Sequence, residues 1–142
     1  MTSCADSSFL FSLYVQDVNS SIAAARMKHA NLPLLFTDLG ELEITNGLAL
    51  RVFRKELQPF EARNILNLFR RDAESGVLRI TSLPSSAYQQ AAQIATLHTP
   101  SLGTRTLDVL QVAAAVVLNA DTFYTFDRKQ AKLASLVGLR VP

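Results

Sequence analysis

A chain of 142 residues with 49% hydrophobic residues, five glycines and five prolines has the make-up of a folded domain; it is long enough to bury roughly two-thirds of its unfolded surface and too apolar for disorder or low complexity. Its net charge of +2 excludes a nucleic-acid binder that works by bulk charge, so anion binding must rest on local clusters: Arg51, Arg54 and Lys55, then Arg70 and Arg71, then Arg128, Lys129 and Lys132. The lone Cys4 excludes a disulfide framework or thiolate metal cluster and reads as a small buried hydrophobe, and the lack of a basic leader or of ~20 unbroken apolar residues predicts a cytoplasmic protein with no membrane span.

The elements follow in order. Met1 to Ala5 is a short, weak strand, since Thr2, Ser3 and Ala5 are modest strand formers. "DSSFLFSLYVQD" is a helix behind an Asp/Ser cap, and "VNSSIAAARMKHA" a second, alanine-rich helix capped by Ser20 or Ser21. Leu32 to Phe36 is a continuous apolar run that suits a buried parallel strand. Asp38 and Glu41 form a capping-box pattern that opens a long helix through about Glu56. Pro59 starts the next helix, and Gly76 stops it.

"VLRI" is a strand, "PSSAYQQAAQIATLH" a helix with Pro84 in its first turn, and "TPSLGT" a loop. Helix "RTLDVLQVAAAVVLNA", strand "TFYTF", helix "DRKQAKLASL" and a last short strand "LRV" complete the chain. Strands alternating with helices predict one domain over residues 1–142, with a central parallel sheet covered on both faces.

Four acids do not fit a purely structural pattern. On a wheel of about 100° per residue, Glu43 falls within about 60° of Leu39, Asn46, Gly47 and Leu50, on the face expected to be buried, while Glu41 and Glu56 fall opposite. An unpaired buried carboxylate costs several kcal/mol, so Glu43 needs a cation, an ion pair with Arg54, or a route to the surface. Asp108 lies in the first turn of a helix that is apolar on nearly every side; alone, it reads equally well as an acid favoured by the helix dipole near a cap at Thr104 or Thr106. Asp6 and Asp127 each follow a strand and precede a helix, and each alone reads as an N-cap.

Residues just after strand C-termini line the crevice where open parallel sheets bind ligands. Four acids at that edge would repel one another unless a divalent cation offsets them, and oxygen ligands without His or Cys favour Mg²⁺ or Mn²⁺ over zinc. His29 and His98 are isolated, with no ligand spacing. Thr125 and Ser8 could orient a carboxylate or a bound water, although a Thr in a strand is usually just a strand former. Such a site suits phosphodiester hydrolysis, whereas no Walker lysine motif, GxGxxG or GxSxG is present.

The set resembles the PIN-domain family, and more closely the VapC-type toxin ribonucleases of bacterial toxin–antitoxin pairs. "ADSSFLFSLY" resembles that family's strand-end Asp-Ser/Thr-Ser motif, "LGELEITNGLALRVFRKE" its helix with an inward glutamate, and "GTRTLDVLQVAAAVVLNADTFYTFDRKQAKLASLVGL" its C-terminal half. The resemblance implies a three-layer α/β/α PIN-like domain with a central, mostly parallel sheet of four to five strands. It assigns Asp6, Glu43, Asp108 and Asp127 to the acidic quartet that holds Mg²⁺ or Mn²⁺, and Thr125 to the hydroxyl residue before the last acid. It implies an endoribonuclease acting on structured cellular RNA, a homodimer, and inhibition by a cognate VapB-like antitoxin. Arg105, Arg128 and Lys129, near the mouth, are candidate phosphate contacts and read equally well as solvated surface charges. Gln111 stands where such relatives often carry His, and Thr2 to Ala5 is less apolar than the usual first strand. The competing reading is a catalytically silent PIN-like module that only binds a partner. A phosphatase or receiver domain fits less well, because Ser8 stands where the phosphatase pattern wants a second Asp.

Overall fold

The computed structural model describes residues 1–142. In chain order the elements are β1 (Ser3–Ala5), α1 (Ser7–Tyr14), α2 (Ser20–Met27), β2 (Leu34–Thr37), α3 (Asp38–Phe53), α4 (Pro59–Glu74), β3 (Leu78–Thr81), α5 (Ser86–Leu102), α6 (Thr106–Val117), β4 (Thr122–Tyr124) and α7 (Arg128–Leu136). The strands lie in the order β3-β2-β1-β4 and every pairing is parallel. The chain therefore runs outward from β1 through β2 to β3 on one side, then returns to place β4 on the other. That reversal puts a topological switch point between β1 and β4, and in open parallel sheets the crevice at the strand C-termini there is the usual ligand site.

Side-chain alternation along the strands divides the core between two faces. Ala5, Leu34, Phe36 and Tyr124 pack with Phe9, Leu10, Ile44, Leu48 and Phe69, from α1, α3 and α4. Cys4 and Phe123 pack on the other face with Ile94, Val112, Ala113 and Leu133, from α5, α6 and α7. The layers are thus α/β/α, as expected. Burial pushes the Cys4 thiol up to about 12, so it stays a neutral, small core group. No helix is long and apolar enough to cross a membrane.

Several local expectations are corrected. Thr37, not Asp38, caps α3: its hydroxyl accepts from Gly40 N, and Glu41 lies one position too far along to complete a capping box. Asp38 instead accepts from Leu83 N at 2.9 Å, tying α3 to the chain after β3. The α2 cap is Asn19, without a side-chain bond, and not Ser20 or Ser21. Residues 99–102 belong to α5 rather than to a loop; Pro100 removes only its own donor near the helix end, and Gly103, at φ 65°, stops the helix instead. The β2 strand begins two residues later than expected, after the Leu32–Pro33 pair. The final "LRV" contributes a single bridge from Arg140 to Thr122 and no fifth strand.

Candidate metal-dependent active site

Asp6 leaves the end of β1 and caps α1, accepting from Phe9 N at 3.0 Å. Ser8 Oγ donates to the same oxygen, Oδ1, at 2.7 Å, and Thr125 Oγ1 donates to Oδ2 at 2.5 Å. The carboxyl is buried, only 3% exposed. Burial raises its pKa to about 6; the bonds from Thr125, Ser8 and Phe9 oppose the rise, and the negative charge of Asp127 adds to it.

Asp127 leaves the neighbouring strand β4 and caps α7, accepting from Gln130 N at 2.8 Å. Thr125 joins the two turns. Its hydroxyl bonds Asp6, accepts from Asp127 N at 3.0 Å, and lies 3.2 Å from Ser8 Oγ. For both aspartates the N-cap reading and the cavity-lining reading are true together.

Glu43 and Asp108 come from helices on opposite faces of the sheet. The buried stripe of α3 runs through Gly40, Ile44 and Leu48, roughly 100° round the helix from Glu43. The expected centre was therefore wrong. Leu50 is 41% exposed and Asn46 is exposed, while Glu43 sits at the margin of the packed face, half-buried and facing the cavity. Its partner is Gln111 on α6, whose Nε2 donates to Glu43 Oε1 at 2.6 Å; the alternative pairing with Arg54 does not form. Gln111 Oε1 in turn accepts from the Thr37 hydroxyl that caps α3, so one buried amide ties Glu43 to the start of its own helix. Burial raises the Glu43 pKa, with Asp108 adding to it and Gln111 opposing. Asp108 lies in the first turn of α6, where neither Thr104 nor Thr106 caps; Arg105 is the cap residue and its Nε stands 3.5 Å from Asp108 Oδ2. Its pKa is raised by burial first and by Asp127 second, against the pull of Arg105.

These four carboxylates line one polar cavity of about 470 Å³, together with Ser7, Ser8, Gln111 and Gln130. Repulsion links them in series, since Asp127 acts on Asp6 and Asp108, and Asp108 acts on Glu43. No three acids stand close enough to form a ready-made ion cage. Beside this cavity a second cleft of about 440 Å³ is lined by Asp108 and Asp127 together with Arg105, Arg128 and Lys129. The quartet, Thr125 and the three expected cations thus lie together.

Two participants had weaker signals in the sequence. Gln111 was visible only as a departure from the His that the resembled family often carries there. Gln130 is buried and its Nε2 donates to Asp108 O at 3.2 Å, which fixes α7 against α6.

No family model matches the chain, and no curated protein matches it in sequence. Solved structures do match over nearly the whole chain. VapBC2 from Rickettsia felis, bound to a DNA fragment from its promoter, is 14% identical, with a TM-score of 0.69 over 100% of this chain and 98% of that one. Mycobacterium tuberculosis VapC20, a sarcin–ricin loop cleaving toxin, is 17% identical, with a TM-score of 0.67 over 97% and 96%. FitAcB from Neisseria gonorrhoeae is 17% identical, with a TM-score of 0.68 over 97% and 94%. At these identities what is shared is architecture: the chain has the PIN-like α/β fold of VapC-type toxin structures.

Proposed function

We propose that the chain is a VapC-like, Mg²⁺- or Mn²⁺-dependent endoribonuclease that hydrolyses phosphodiester bonds in structured cellular RNA. One observation carries the reading. Asp6 and Asp127, at the switch point between adjacent strands, share a cavity with two acids delivered from opposite layers, and the only ion pair among them is the exposed one from Arg105. A fold does not by itself fix a function, so the weight rests on this unbalanced charge.

The donor set fits a hard divalent cation. It is all oxygen, partly desolvated and net negative. Mg²⁺ keeps several waters and needs only one or two protein carboxylates, so the absence of a closed cage is compatible with it. Asp6 and Asp108 would hold the ion, with Glu43 and Asp127 completing the site. Bound there, the ion would lower the pKa of a water and neutralise charge developing on the phosphate.

The chain's own groups do the positioning. Ser8, Thr125 and Phe9 N occupy both oxygens of Asp6 and fix its plane. Gln111 holds Glu43, and Arg105 restrains Asp108. Asp127 accepts one backbone hydrogen bond, from Gln130 N, and so keeps lone pairs for a water. Arg105, Arg128 and Lys129 would steer the RNA backbone toward the mouth.

The reading includes a cytoplasmic homodimer and a VapB-like antitoxin, the antitoxin supported by a solved neighbour whose name pairs a VapC with its VapB. Leu42, Leu50 and Phe53 of α3 leave apolar surface in solvent that such a partner could cover.

Incubation of the purified protein with total RNA and Mg²⁺ or Mn²⁺ tests the reading. Cleavage should vanish with EDTA and in Asp6→Asn and Asp108→Asn. Metal-independent cleavage, or undiminished cleavage by both variants, would sink the mechanism. No cleavage of any RNA together with tight partner binding would instead support a silent module.

A further inference from the structure

Of the clustered cations Arg51, Arg54 and Lys55, the last two are exposed, and only Arg51 turns into the cavity that holds the acids. Its guanidinium lies 4.8 Å from the centroid of the Phe11 ring, which lines the same wall. No acid pairs with Arg51, and no protein acceptor takes a hydrogen bond from it. Asp17, also on that wall, is occupied by Ser12 Oγ, Asn19 N and Ser20 Oγ. A half-buried arginine held over a ring with its donors unclaimed is suited to two-pronged binding of phosphate oxygens.

Gly47 makes this arrangement sterically possible. A Cβ there would come within 2.2 Å of the Phe11 ring, so only glycine lets the ring lie against α3 one turn before Arg51. Glu43, Gly47 and Arg51 form one stripe along the helix, with the first and last about 12 Å apart along its axis. Arg51 therefore enters the cavity about two helical turns from Glu43, beside the acids rather than among them.

We infer that Gly47, Phe11 and Arg51 form a pre-oriented phosphate subsite that grips the RNA backbone at a position beside the scissile phosphate, apart from the neighbouring cleft lined by Arg128 and Lys129. The inference rests on the ribonuclease reading, and binding measured without cleavage separates the two.

Affinity for a labelled single-stranded RNA is measured in EDTA over a salt series for the wild type, Arg51→Gln, Arg51→Lys, Phe11→Leu and the surface control Arg63→Gln, each first checked for an unchanged Tm. Arg51→Gln should weaken binding roughly ten- to a hundredfold and lower the salt slope by about 0.7. Arg51→Lys should recover part of the affinity, Phe11→Leu should weaken binding with the slope retained, and Arg63→Gln should change neither. A scan of single uncharged methylphosphonates along the RNA should show one position that costs the wild type affinity but costs Arg51→Gln nothing. If Arg51→Gln matches the wild type in affinity and slope, or if no such position exists, the subsite is wrong even where Mg²⁺-dependent cleavage is normal. Loss of affinity in a protein that cleaves no RNA would leave the contact standing and overturn the catalytic reading instead.

Discussion

The turns after β1 and after β4 are local equals with different fates. Each places an aspartate at a helix N-cap, bonded to the backbone N–H three residues on. Asp6, however, is buried and accepts from two further hydroxyls, whereas Asp127 is half-buried and accepts only its cap bond. The neighbours rather than the turns make the difference. Strand β1 is interior to the sheet and β4 carries only a bridge from Arg140 on its far side, so Asp6 loses water that Asp127 keeps. Hydroxyls from Ser8 and Thr125 supply what the lost water would have given. Asp6 is thus a desolvated, rigid acid suited to an ion, and Asp127 a solvated cap able to hold a water.

The largest test of that contrast is activity. Asp6→Asn should lower metal-dependent cleavage about a thousandfold, and Asp127→Asn about ten- to a hundredfold. Measured kcat/KM values that rank in the opposite order would assign the ion to the β4 turn.

Next is the pH dependence of stability in the metal-free protein. The Asp6 pKa is raised to about 6 in the fold, against about 3.9 in an unfolded chain. The folded state therefore holds the proton more tightly, so this group favours the fold below about pH 4, and the preference is lost as pH rises through about 6. Glu43 and Asp108 are raised as well and act in the same direction. Asp6 alone accounts for about 3 kcal/mol. Denaturant midpoints in EDTA should fall between pH 4 and 6.5 for the wild type and much less for Asp6→Asn. Asp127→Asn should keep most of the fall, because burial and not Asp127 is the leading cause at Asp6. A fall undiminished in Asp6→Asn would place the desolvated acid elsewhere.

Thr125→Val breaks the link between the turns. It removes the donor to Asp6 and the acceptor for Asp127 N, and should destabilise by about 2 kcal/mol. It should also move the pH-dependent loss upward, since the Thr125 bond holds the Asp6 pKa down. An unmoved pH profile would mean that Ser8 and Phe9 N orient Asp6 without Thr125.

How far this site was legible in the sequence follows the same division. Asp6, Asp127 and Asp108 announce themselves because each occupies a helix start, a place fixed by short-range geometry. Their convergence follows from the parallel α/β pattern. Glu43 was legible as facing inward, but its place on α3 was misjudged by weighting Leu39 and Leu50 over Ile44 and Leu48, and nothing local says which apolar stripe of a helix meets the sheet. Gln111 and Arg51 were harder still. Gln111 matters through contacts to Thr37 and Glu43, 74 and 68 residues away, and Arg51 through Phe11, which only Gly47 admits. The Pro100 misreading has the opposite origin, a strong local breaker overridden because it falls in the last turn.

The smallest effect is the most specific to the β4 turn. If Asp127 is chiefly a cap in the metal-free protein, Asp127→Asn should change stability by only a few tenths of a kcal/mol, because Asn accepts the Gln130 N–H as well as Asp does, while Asp127→Ala should cost about 1 kcal/mol. Asn also removes the repulsion Asp127 exerts on Asp6 and Asp108, so at pH 7 it should be neutral or slightly stabilising in EDTA and lose that advantage once Mg²⁺ is added. Equal losses for Asn and Ala, unaffected by Mg²⁺, would mean that the charge holds the turn, and the two aspartates would then differ in degree rather than in kind.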